Sequence, residues 1–311
     1  MNSRALRADF LMLITAAIWG FAFVAQRVGM DYVGPFTFNG VRFFLGGLSL
    51  LPFLFIKTSA ASKPNGEPGN TDRPEAQESV SSLFIYGAIA GVALFLGSSF
   101  QQVGLVYTTA GNAGFITGLY VIMVPMIGLF AGHRPGSGVW VGALLAATGL
   151  YLLNEAPGVG LNIGDALVLA CALFFALHVL LIGKISPHLP TVPLSIIQFF
   201  TCSLLSMGAA VLQEPIALKD ILAAAVPLLY GGVGSVGIAY TLQVIAQKDA
   251  PAAHAAIILS LESVFALIGG VVLLQETAVW LKVFGAVLML SGMLAAQIQR
   301  YIAKSRNETV V

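Results

Sequence analysis

Residues 251–274 read PAAHAAIILSLESVFALIGGVVLL, an apolar run of membrane-spanning length with a single carboxylate, Glu262, close to its centre. An ionised side chain at mid-helix costs about 2.5–3.5 kcal/mol on insertion scales, so Glu262 must face a partner or water. Its neighbours at helical spacing (Ala255, Ile258, Leu259, Phe265, Ala266, Gly269) are apolar and offer no relief. His254, two turns earlier, is too far along the axis to touch it. Relief has to come from another helix or from a wet cavity.

The rest of the chain is of the same kind. Of 311 residues, 58% are hydrophobic and 9% charged, and the mean hydropathy is +0.90. A soluble domain carries about 25% charge, so the expected fold is an all-α integral membrane protein. The net charge of +1 gives no reason to expect a nucleic-acid partner; the expected surroundings are a lipid bilayer and a small-molecule substrate. Cys171 and Cys202 sit inside apolar runs and have no metal-ligand or disulfide spacing. No phosphate-binding glycine loop is present, and His133, His178, His188 and His254 are scattered. Neither a cofactor nor a metal is expected, and a membrane-embedded enzyme, a structural protein and a channel are weaker readings than a carrier.

Ten spans can be placed: 8–28, 36–56, 83–106, 111–131, 139–153, 163–183, 192–212, 223–246, 251–274 and 279–298. Residues 57–82, rich in Ser, Pro, Gly and Glu, read as a flexible cytoplasmic loop. Lys and Arg concentrate on the N-terminal side of the membrane (Arg4, Arg7, Arg134, Lys184, Lys248, Arg300), with only Arg27, Lys219 and Lys282 opposite. Positive loops stay inside, so both termini are expected in the cytoplasm.

The two halves match in order. Ala8-Asp9 aligns with Gly164-Asp165, Arg42-Phe43-Phe44 with Gln198-Phe199-Phe200, and Tyr86-Gly87 with Tyr230-Gly231. Trp140 then aligns with Trp280, and Gly142 and Gly149 with Gly285 and Gly292. Each copy holds five spans, an odd number, so the second enters from the opposite side. The expectation is two inverted five-helix repeats, 8–153 and 163–298, with a substrate site near the midplane between them. Gly87 with Gly91, Gly114 with Gly118 and Gly128 with Gly132 form small-residue pairs for close helix approach.

Trp19-Gly20-Phe21 in the first span, Pro35-Phe36 leading to Arg42-Phe43 in the second, and Gln275-Glu276-Thr277 followed by Gly285 and Gly292 resemble the EamA family of the drug/metabolite transporter superfamily. The first copy departs from the family's usual Glu-x-x-Thr, carrying His133-Arg134-Pro135 instead. The resemblance implies ten helices in two repeats and export of amino acids or related metabolites across a bacterial inner membrane, with efflux of toxic compounds as the alternative.

Mid-span polar and aromatic residues supply the candidate site. Thr15, Trp19 and Gln26 share one helical face, and Cys171, Phe175 and His178 share another. Tyr120, Tyr240 and Gln243 lie deep in their spans, while Tyr107, Asn112 and Gln247 fall nearer span ends. Arg42 either snorkels outward or pairs with Glu262 or a solute carboxylate. Trp19, Arg42, Tyr120, His178, Tyr240, Gln243 and Glu262 are therefore the expected substrate-binding residues, and Glu262 and His178 the expected proton-coupling ones. Glu276 is expected to pair locally with Lys282.

Overall fold

The computed structural model describes residues 3–54, 74–108, 110–132, 134–153, 163–273 and 280–308. Apolar runs that satisfy their own backbone bonds become helices, and every described element is helical. In chain order these are α1 (Ser3–Gly29), α2 (Pro35–Leu54), α3 (Pro74–Tyr107), α4 (Ala110–Gly118), α5 (Tyr120–Phe130), α6 (Ser137–Leu153) and α7 (Ile163–Ile185). They are followed by α8 (Thr191–Gln213), α9 (Leu218–Ala223), α10 (Ala225–Leu229), a π-helical segment (Tyr230–Tyr240), α11 (Thr241–Ala246), α12 (Ala252–Leu259), α13 (Glu262–Leu273) and α14 (Trp280–Glu308). Seven helical stretches among the described residues are long and apolar enough to cross a membrane, and three shorter apolar ones accompany them. The outer surface is apolar, with Phe130, Leu212, Val226 and Leu204 each at least 75% exposed, as a surface solvated by lipid requires. The protein is a multi-pass membrane protein.

Three spans depart from the uninterrupted helices expected, and two others are longer than expected. The fourth breaks at Leu119, between α4 and α5, and the ninth at Ser260 and Leu261, between α12 and α13. At both breaks the backbone tightens to i→i−3 bonding: Leu119 N–H donates to Ile116 O and Leu261 N–H to Ile258 O. The cap residues have nearly the same dihedrals, φ −60° and ψ −13° at Leu119 against φ −62° and ψ −14° at Ser260. The physical reason at the ninth span is Ser260, whose hydroxyl donates back to Ile257 O at 2.9 Å and competes with the helical ladder. The eighth span is re-registered into a π helix through Tyr230–Tyr240, a segment with glycines at 231, 232, 234 and 237 and so a weak preference for α geometry. The third helix begins at Pro74, inside the stretch read as loop, and α14 runs on to Glu308, beyond the expected end of the last span.

Close packing is carried by glycines. α6 lies along α14 with reciprocal contacts: a methyl built on Gly142 would lie 2.7 Å from Gly292 O, and one on Gly292 2.6 Å from Gly142 O, while Gly149 abuts Gly285 O in the same way. α2 lies along α8, where Phe43 meets Phe199 (centroids 6.3 Å) and Phe44 meets Phe200 (5.8 Å). α3 packs on α7 and α8, and α1 on α13 and the π segment. Gly87 and Gly91 approach Ile197 and Thr201 as expected of packing glycines. Gly114 faces open space instead, and Gly132 adopts φ 80°, so it serves to end α5. His133, residues 57–73 of the long loop and Gln275-Glu276-Thr277 lie outside the described residues, as does the expected Glu276 pairing.

Candidate functional site

Two broken helices, a π segment and the middle of α1 meet around one enclosed cavity of about 40 Å³. Its lining includes every expected binding residue: Trp19, Arg42, Tyr120, His178, Tyr240, Gln243 and Glu262. Tyr120 is the first residue of α5 and Glu262 the first of α13, so the two breaks deliver the two side chains to each other. The Tyr120 hydroxyl donates to Glu262 Oε1 at 3.3 Å, the relief from a neighbouring helix that the apolar surroundings of Glu262 demanded. Gly20 makes this approach possible, since a Cβ there would come within 2.6 Å of Glu262 O.

Arg42 does not snorkel. It is 4% exposed, with its guanidinium carbon 5.5 Å from the Phe38 ring and 5.2 Å from the Phe43 ring. Its Nε is buried without a hydrogen-bond partner, and no carboxylate pairs with it among the described residues. Two cation–π contacts stabilise a desolvated cation by about 2 kcal/mol each, less than the several kcal/mol that burying an ion costs.

Tyr240 is the hub of the aromatic wall. Trp19 lies over it at 4.6 Å, His178 meets it edge-on at 6.0 Å, and Phe43 and Phe199 each lie 6.1 Å away. Trp19 Nε1 donates to Ser235 O at 3.1 Å, so a carbonyl of the π segment is held by α1, while the Thr15 hydroxyl donates to Leu11 O at 2.9 Å and also lies 3.3 Å from Ala239 O. His178 Nε2 bonds Gln198 Oε1 at 3.0 Å, the neighbouring-helix partner that leaves it structurally satisfied. Gln243 donates to Gln247 at 2.9 Å, and Gln247 to Val179 O at 2.9 Å. The Oε1 atoms of Gln26 and Gln243 are buried without a partner, which in a cavity this size calls for water.

Three features escaped the sequence reading. Gln101 and Ser235 also line the cavity. Asp9 and His254 form a buried pair at 2.8 Å between α1 and α12; the match of Asp9 to Asp165 in the repeat alignment was the only signal. Glu214, after α8, reaches the far end of the bundle and accepts from Phe36 N–H (2.8 Å), Thr37 N–H (2.8 Å) and the Thr37 hydroxyl (2.7 Å), capping α2 with charge at its dipole's positive end. Cys171 contacts Thr117 and Cys202 contacts Ser98, both as buried free thiols. Tyr107 is 57% exposed and outside the cavity, and the Asn112 side chain lies outside those described.

Discontinuous helices around a polar, aromatic cavity inside an apolar helical bundle are an architecture of membrane transporters. The sequence matches the EamA-like transporter family over residues 6–155 and 162–296, and the chain belongs to that family. It is similar to a protein of Archaeoglobus fulgidus described as an uncharacterized transporter, 35% identical over 304 residues, covering 95% of this chain and 87% of the relative. A second protein of the same organism and description is 27% identical over 153 residues, covering 49% of this chain and 46% of its own length. A solved crystal structure shares the fold at a TM-score of 0.75 and 19% identity, covering 94% of this chain and 96% of the other.

Proposed function

We propose that the protein is a secondary transporter that exports small organic solutes, amino acids or related metabolites, from the cytoplasm by alternating access. The observation that carries this reading is the opposed charge chemistry of one enclosed cavity: Arg42, a buried guanidinium with no carboxylate partner, and Glu262, a carboxylate held by a single tyrosine. A solute bearing both a carboxylate and an ammonium would complete both. The aromatic wall of Trp19, Phe175 and Tyr240 suits an apolar side chain, and it also favours the second reading, efflux of flat apolar compounds. At about 40 Å³ the cavity has room for a few waters, so on this reading an amino acid enters only when the surrounding helices part.

We read the seven long and three shorter apolar helical stretches as ten spans, in two inverted five-helix repeats. Reciprocal contacts support this arrangement. If Gly142 corresponds to Gly285 and Gly149 to Gly292, a two-fold axis requires Gly142 to meet Gly292 and Gly149 to meet Gly285, as they do. The equivalent pairs Phe43 with Phe199 and Phe44 with Phe200 meet across the same axis, and the matching breaks at Leu119 and Ser260 are the expected sites of solute contact. The charge distribution supports cytoplasmic termini, and the bacterial inner membrane is what the family resemblance implies. Coupling to protons is assigned to Glu262, the carboxylate at the cavity, with His178 as the lesser candidate because Gln198 already holds it.

Counterflow of a panel of radiolabelled amino acids in proteoliposomes tests the reading. The expected result is saturable exchange of at least one, lost in Arg42→Gln, with flux that responds to a pH gradient in the wild type and no longer does so in Glu262→Gln. Absence of saturable exchange, or unaltered exchange in Arg42→Gln, overturns it.

A further inference from the structure

A second and much larger cavity, about 560 Å³, opens at the end of the bundle that carries the N-terminus, between α5, α6, α7, α12 and α14. That volume lies within the range that receives small organic ligands. Its walls are apolar, with Val124, Val139, Leu180 and Pro251, and its basic groups are Arg134, Lys184 and His254. His254 differs from the other two in being 2% exposed and fixed. Its Nε2 lies 2.8 Å from Asp9 Oδ1, while its Nδ1 is buried and has no hydrogen-bond partner. With Asp9 accepting from Nε2–H, Nδ1 carries a proton only when the ring is cationic, and an anion arriving beside it would supply the partner that this proton needs.

The two cavities share three helical stretches. Along α5 the lining passes from Tyr120 in the central cavity to Val124 in the larger one, and along α7 from Val179 to Leu180. Along the ninth span it passes from Leu259 and Glu262 to residues 251–254. Val124, Val179 and Leu259 belong to one packed apolar cluster, with Leu180 against it, so packed apolar side chains separate the two.

We propose that the larger cavity is a docking site for the carboxylate of a small solute bound for the central cavity, with His254, oriented by Asp9, as its receptor and Arg134 and Lys184 as the attracting rim. The direction of travel rests on the export reading above; the binding itself does not. The test uses the full chain in phosphatidylcholine nanodiscs, labelled with ¹⁵N-histidine and titrated with benzoate and with benzamide, its uncharged counterpart of the same shape. The His254 signals are those missing from the spectrum of His254→Gln.

Benzoate is expected to shift the His254 Nδ1 resonance and benzamide to leave it in place. His254→Gln, whose amide can keep the bond to Asp9 but offers nothing at the Nδ1 position, should weaken benzoate binding about tenfold, while His254→Asn, whose amide nitrogen lies near that position, should hold it within about threefold. Equal binding of benzoate and benzamide, or undiminished binding in His254→Gln, overturns the proposal. So does loss of benzoate binding in discs containing phosphatidylglycerol, which would make the cleft a lipid site. Failure of the export reading alone would leave the His254 response intact while amino-acid exchange is absent or Arg42→Gln exchanges normally; failure of the docking site alone would give the reverse.

Discussion

Arg42 shows how far residue types can be read and where geometry takes over. A lone arginine in an apolar span left two readings open, outward snorkelling or an inward role, because the sequence does not say which way a side chain points. Burial against Phe38 and Phe43 decides for the inward one. The repeat alignment sets Gln198 opposite it, a neutral residue already engaged with His178, so the pocket carries its cation on one side only. Stability and transport should therefore respond in opposite directions to Arg42→Gln. Removing an uncompensated buried charge is expected to leave thermal stability in detergent unchanged or to raise it by about 1 kcal/mol, while exchange of carboxylate-bearing solutes falls at least tenfold. Paired melting and counterflow measurements check the two signs. The candidate residues were legible because polar side chains are few in these spans; Asp9, Gln101 and Glu214 were missed because each depends on a partner remote in sequence.

At the level of the helix, the breaks and the π segment were not legible. A hydropathy run of some twenty residues looks the same whether its backbone is continuous or interrupted, and 251–274 contains no proline or glycine at the point where it breaks. Ser260 is the residue responsible, and serine is too common in membrane helices to announce a break. Within the π segment the glycines have separate duties. A Cβ at Gly232 would lie 2.6 Å from Leu45 Cβ and 3.0 Å from Arg42 O, whereas one at Gly234 meets nothing closer than 3.9 Å. Gly234→Ala should thus be tolerated or stabilising by up to about 1 kcal/mol, and Gly232→Ala should lower the melting temperature by displacing α2, at a cost of about 1–3 kcal/mol. Because α2 carries Arg42, the second variant should also impair exchange. A Gly232→Ala protein with wild-type melting and transport would show that α2 is not held by this contact.

For the molecule as a whole, the all-helical membrane fold could be anticipated because hydrophobic length is written directly in the sequence, whereas the ten-span inverted repeat is the proposal made above from the register of the glycines. The side of the membrane each loop occupies follows from charge alone, and it can be checked directly. With Cys171 and Cys202 replaced by alanine, Pro215→Cys should react with a membrane-impermeant maleimide on intact cells, and Pro135→Cys only after permeabilisation. The reverse pattern would turn the carrier round and make the large cavity an external one. The two ends of the bundle are also unequally sealed. Toward the N-terminal end packed apolar side chains stand between the central cavity and the cleft, and such contacts part without leaving polar groups stranded. At the other end Glu214 gathers two amides and a hydroxyl onto one carboxylate, and separating them means rehydrating all four groups together. On the export reading proposed above, a carrier built this way has its far door bolted and its near door merely shut, and would open to the side from which cargo comes more often than to the side where it is delivered.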